Sequence, residues 1–116
     1  MLYKVLRRDG GCANGGKGKW HLPRDGKPGK WMSPVEGPLL ACQNGYHLCR
    51  PKDLINWLGP VIYEAAARGE TLESADKIVA RQARLLRRLE SWNEKTARLF
   101  ACDCAERVLS LFEARF

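Results

Sequence analysis

Several things are missing from this chain. It has no run of eighteen apolar residues, and its opening MLYKVLRRDGG lacks the long apolar segment of a secretory signal, so neither a membrane-spanning helix nor a leader is expected. Five cysteines, an odd number, include no CxxC pair, which argues against a disulfide framework and against the usual zinc spacings. No GxxxxGK[ST] phosphate loop and no nucleophile–base motif occur, so an enzyme is not the expected class and no cofactor is expected. These absences lead to a soluble, cytoplasmic protein that does not engage membrane.

What is present fits one small domain over residues 1–116. With 116 residues and 45% hydrophobic content, the chain can bury one core and remove roughly 65% of its unfolded surface from water. The net charge of +7 is unevenly placed: residues 1–31 carry +6, residues 32–76 carry −3 and residues 77–116 carry +4. Two basic ends folded onto one face would attract phosphates or an acidic protein, whereas folded apart they are solvated surface.

The stretch Leu39–Gly59 organises the chain. Leu39, Leu40, Ala41 and Cys42 form an apolar run, Asn44-Gly45 is the strongest turn signal, and Tyr46-His47-Leu48-Cys49 resumes the apolar pattern. Pro51 suits a first helical position, Leu54, Ile55, Trp57 and Leu58 supply an apolar face, and Gly59-Pro60 ends the element, giving a short helix over 51–58. Upstream, LYKVL at 2–6 reads as a strand and the glycine-rich stretch from Gly10 to Gly18 as a loop. Two echoes, Gly18-Lys19-Trp20-His21-Leu22-Pro23 and Gly29-Lys30-Trp31-Met32-Ser33-Pro34, flank the turn chemistry of Arg24–Gly29. They read as two short strands of a basic, Trp-bearing hairpin.

Downstream, Pro60–Ala67 reads as a strand of about eight residues, closed by Arg68-Gly69 and followed by an acidic connection at 71–76. Residues 77–89, KIVARQARLLRRL, fit strand alternation and helical periodicity, the helix slightly better. Ser91-Trp92-Asn93-Glu94 matches a capping box, after which Ala97, Phe100, Ala101, Cys104, Val108, Leu111 and Phe112 recur at helical spacing. The expected class is therefore α+β: a sheet-rich part over 1–90, mainly antiparallel, and a long amphipathic helix over 91–114. Leu2, Val5, Leu40, Leu48, Leu54, Leu58, Ile62, Phe100, Val108 and Leu111 are the expected core.

LYKVL, the motif Gly45-Tyr46-His47-Leu48-Cys49, the helix bearing Trp57 and the strand ending at Arg68-Gly69 together resemble a family of uncharacterised phage and bacterial domains with a Gly-aromatic-His-x-Cys signature. Residues 91–107 are similar to the opening of alanine-rich proteins described as immunity proteins, though the alanine-rich array that follows there is missing here. The first resemblance implies a strand near 77–85 running into a short helix.

The candidate binding residues are Lys17, Lys19, Trp20, Lys30, Trp31, Tyr46 and His47. Lysine beside tryptophan in both echoes is the pairing used to stack nucleobases, although tryptophans capping a core edge produce the same pattern. Cys42, His47 and Cys49 offer three soft ligands for zinc, without a fourth at standard spacing, so a histidine bonded to backbone competes with that reading. His47 and Cys49, two apart on a strand, stand about 7 Å from each other, beyond proton transfer. Tyr3, His47 and Glu70 are analogous to the polar trio of an ADP-ribosyltransferase-like nucleotide fold. The leading expectation is a small non-enzymatic interaction module of phage or phage-influenced bacterial origin, with a protein partner such as a host defence component. Nucleic-acid binding through the Trp-bearing hairpin is the alternative.

Overall fold

The computed structural model describes residues 1–12, 18–41 and 43–100. Four strands form one antiparallel sheet: β1 (Leu2–Leu6), β2 (Tyr46–Leu48), β3 (Val61–Glu73) and β4 (Ile78–Arg88), in the order β1-β3-β4-β2. The two ends of the sheet approach each other. Tyr3 and Cys49, the residue after β2, exchange both backbone hydrogen bonds at 2.8 Å, so the sheet curls into a half-barrel and two edges are spent on one another.

The inside of the curl is the core. Leu6, Leu48, Val61, Tyr63, Ala65, Ala80, Ala83 and Leu85 pack there with Trp20, and the small alanines let β3 and β4 curve tightly around the larger side chains. Lys4 enters the same cluster, donating to the His47 carbonyl at 2.9 Å and standing 5.3 Å from the Trp20 ring centre. Burial holds its amine below the usual lysine range.

The α+β expectation, with a long C-terminal amphipathic helix, is corrected by this architecture. The described chain is mostly antiparallel sheet, with one short α-helix of seven residues, 94–100, and a 3-10 helix. No long helix is shown, and Val108 and Leu111 lie outside the described residues. Within the described turns, Phe100 is 36% exposed; the apolar spacing is real, but this residue of it is not buried in the core. The helix start also differs from the capping box read at Ser91-Glu94. Asn93 Oδ1 accepts from the Thr96 amide at 3.1 Å and Thr96 Oγ1 from the Asn93 amide at 2.9 Å, while Glu94 pairs with Arg98 at 2.6 Å.

Two further boundaries move for physical reasons. Arg68-Gly69 does not end a strand: β3 runs on to Glu73, and Gly69 (φ 81) sits where the pairing jumps from Arg68↔Gln82 to Thr71↔Ala80. It is the left-handed residue of a β-bulge, which glycine accepts without a Cβ penalty. Residues 77–89 are strand rather than helix, because the thirteen residues of β3 offer β4 a partner along nearly its whole length.

In the organising stretch, the turn falls before Asn44-Gly45. The Leu40 carbonyl accepts from the amides of Gln43 and Asn44, and the Leu40 amide donates to the Asn44 carbonyl at 2.9 Å. Leu40 is thereby 48% exposed and Leu39 is the buried neighbour. Gly45 (φ 128) serves another purpose, since a Cβ there would lie 2.3 Å from Val79 Cγ1. The helix expected over 51–58 is a 3-10 helix, Pro51–Asn56. Arg50 anchors it, donating to Asp53 Oδ2 at 2.5 Å and to the Ser74 carbonyl at 2.7 Å in the β3–β4 turn.

Candidate nucleic-acid interface

Asp25 (φ 51) and Gly26 (φ 74) are both left-handed, and Arg24 and Lys27 exchange backbone hydrogen bonds of 3.1 and 2.9 Å across them. This is a two-residue turn of the I′ kind, the connection that matches strand twist. The expected two-stranded hairpin nevertheless stops after that one rung. The next hydrogen-bonded pair in register would be Leu22 opposite Gly29, and the Gly29 amide is directed elsewhere.

Freed from its partner, the chain after the turn runs along the edge of β4. Gly29 donates to the Leu85 carbonyl at 2.8 Å, Met32 to Ala83 at 2.9 Å and Val35 to Arg81 at 3.0 Å. Donors recur every third residue and acceptors every second, the spacing of a threefold extended chain lying against a strand. Gly29 also lies close against the first arm of the turn, since a Cβ at this position would stand 2.1 Å from the His21 carbonyl oxygen.

Trp31 and Met32 then part. Met32 packs against the core cluster, while Trp31 meets the outer face of the β3–β4 ribbon. Ala66 pairs with Arg84 and Arg68 with Gln82, so alternation puts these four residues opposite the core-facing Ala65, Ala67, Ala83 and Leu85. The Arg68 guanidinium carbon lies 4.2 Å from the Trp31 ring centre and that of Arg84 4.7 Å, both inside cation–π range. Gln82 ties the arrangement to the loop, accepting from Arg68 Nε at 2.9 Å and donating to the Met32 carbonyl at 2.9 Å.

The cations of this face stand outside the ion pairs of the described residues. Arg7, Arg8, Arg50, Lys77, Arg81, Arg87 and Arg98 each have a carboxylate within ion-pair distance. Among the described residues, no carboxylate pairs with Arg68 or Arg84, and Arg84 Nε is buried without an acceptor. Arg24, Lys27 and Lys30 are exposed on the adjoining loop. The turn joins Arg24 to Lys27, the Gly29–Leu85 bond draws that turn to β4, and Trp31 completes the approach to Arg68 and Arg84.

No family model, curated protein or solved structure matches the chain. The reading of the site therefore comes from its residues. Of the candidates named from sequence, Lys30 and Trp31 belong to this face, and Lys19 is exposed on the segment leading toward it, bridged to Gly11. Trp20 is elsewhere: it is 7% exposed, inside the curl. Tyr46 meets the edge of Trp20 at 5.4 Å and donates to the Ser33 carbonyl at 2.5 Å. Lys17 and Cys42 lie outside the described residues.

His47 is half-buried on β2; burial first, then the charges of Lys4 and Lys77, hold its imidazole below the usual histidine range. Burial likewise pushes the Cys49 thiol up. Among the described residues no group of three His, Cys, Asp or Glu is placed to hold a metal. Glu70 is engaged by Arg81 at the bulge. No helix among the described residues is long and apolar enough to cross a membrane.

Sequence reading did not single out Arg24 and Lys27 in the turn, and it missed Arg68, Gln82 and Arg84. Arginine in a strand is ordinarily solvated surface, and only the β3–β4 register puts residues fourteen or more positions apart beneath one indole.

Proposed function

We propose that this protein binds nucleic acid through the face formed by the 24–31 loop and the outer side of β3 and β4. The observation that carries the proposal is the pair of guanidiniums, Arg68 and Arg84, held against Trp31 with no carboxylate to neutralise them among the described residues. Clustering five cations costs self-repulsion, and a polyanion removes that cost while releasing its own counterions. Arginine suits the task, because a stacked guanidinium keeps planar N–H donors that match phosphate oxygens.

Fluorescence anisotropy of a labelled oligonucleotide, titrated at several salt concentrations, tests the proposal. If Arg24, Lys27, Lys30, Arg68 and Arg84 all reach phosphates, the slope of log K against log salt should approach about −4.5 for duplex DNA and about −3.5 for a single strand. Absence of binding at low salt, or binding that ignores salt, refutes it.

A further inference from the structure

The basic, Trp-bearing loop invites the expectation that tryptophans stack bases, and the geometry argues otherwise. Trp20 is sealed in the core at 7% exposure. Trp31 already carries Arg68 at 4.2 Å and Arg84 at 4.7 Å from its ring centre. A base stacking on the ring face that the guanidiniums cover must displace one of them, and displacing Arg68 also breaks its 2.9 Å bond to Gln82. Each arginine, by contrast, can take a phosphate oxygen in its own plane without leaving the ring.

We infer that the ligand is read by its phosphates: Arg68 and Arg84 are the contacting groups, Trp31 is a positioning residue that holds them, and the bases supply neither stacking nor sequence preference. This rests on the nucleic-acid reading and names what that site recognises. The ligand class is a phosphodiester backbone, and binding extends to any nucleic acid that can lay consecutive phosphates along the face.

The test is competition against a labelled mixed-sequence oligonucleotide by three unlabelled competitors of equal phosphate number: the same oligonucleotide, an abasic one of the same length, and inorganic polyphosphate. All three should displace the label within about threefold of one another. An abasic competitor weaker by about tenfold or more overturns the inference, since each base stacked on an aromatic ring is worth roughly 5- to 150-fold. Failure of the labelled oligonucleotide to bind at low salt defeats the nucleic-acid reading itself, so the two failures are distinguishable.

Variants separate positioning from simple structural support. Arg68→Gln and Arg84→Gln should each flatten the salt slope by about one. Trp31→Leu, with both arginines still in the chain, should flatten it as much as the double arginine variant, and Trp31→Phe should restore part of the loss. Melting curves of each variant establish that the compared samples are folded. A Trp31→Leu protein that melts earlier yet keeps the full slope shows the indole to be structural only and overturns its assigned role.

Discussion

Gly45→Ala is the sharpest probe of how β2 is seated on β4. A new Cβ at this position meets Val79 Cγ1 at 2.3 Å and Leu39 Cδ2 at 3.3 Å, and the backbone stands at φ 128. Carbon atoms prefer about 3.5–4.0 Å, so Val79 must retreat by more than an ångström, and it is fully buried with 0% exposure. Overpacking of that kind costs about 1–3 kcal/mol. A side chain forced into a conformation that only glycine adopts easily adds about 1–3 kcal/mol. The expected loss is about 4 kcal/mol, which at about 4 °C per kcal/mol for a chain of this size lowers the melting temperature by about 15 °C. Urea denaturation with constant m value is the assay. The clash component is isolated in a Val79→Ala background, where the same glycine change should cost about 1–3 kcal/mol less because the offending methyl is gone. A loss under about 1 kcal/mol, or equal losses in the two backgrounds, refutes the close approach and returns Gly45 to an ordinary turn position.

Two more outcomes follow from the fold. Phe100→Ala should lower stability by about 1 kcal/mol or less, because the ring is 36% exposed and meets Trp92 edge-on at 6.0 Å; a urea-melt loss of about 3–5 kcal/mol would instead mark a buried core phenylalanine. The hydrogen bond from Arg50, its largest cause, holds the Asp53 carboxyl below the usual carboxylate range. With the folded value depressed, the contribution is fully present above the unfolded value near 4 and fades as pH falls through the folded one. The stability gap between the wild type and Asp53→Asn should therefore be steady near neutral pH and shrink in acid; a gap that does not change with pH refutes the assignment.

Local chemistry was legible wherever it did not depend on a distant partner. LYKVL forms β1, Tyr46–Leu48 forms β2, Gly59-Pro60 precedes β3, and Asp25-Gly26 makes a tight turn. Gly69 misled, because a glycine that ends a strand and a glycine that bulges within one look alike until the partner strand is known. Residues 77–89 stayed open for a related reason: a short apolar run fits two periods, and it is the ladder offered by β3 that selects one. Of the candidate face, Lys30 and Trp31 could be named from the chain alone, as lysine beside tryptophan in a basic loop.

The rest could not. The sequence by itself determined the charge excess, the absence of a long apolar segment, the tight turn at Asp25-Gly26, and the alternation that gives β3 and β4 an inner and an outer face. Tertiary structure decided which tryptophan is core and which is surface, since Trp20 and Trp31 occupy matching positions in two similar segments and differ only in what each segment packs against. It also decided that Arg68 and Arg84 share one ring, because strand register is a property of two chains of backbone hydrogen bonds meeting, and a shift of one residue would carry both arginines to the opposite face.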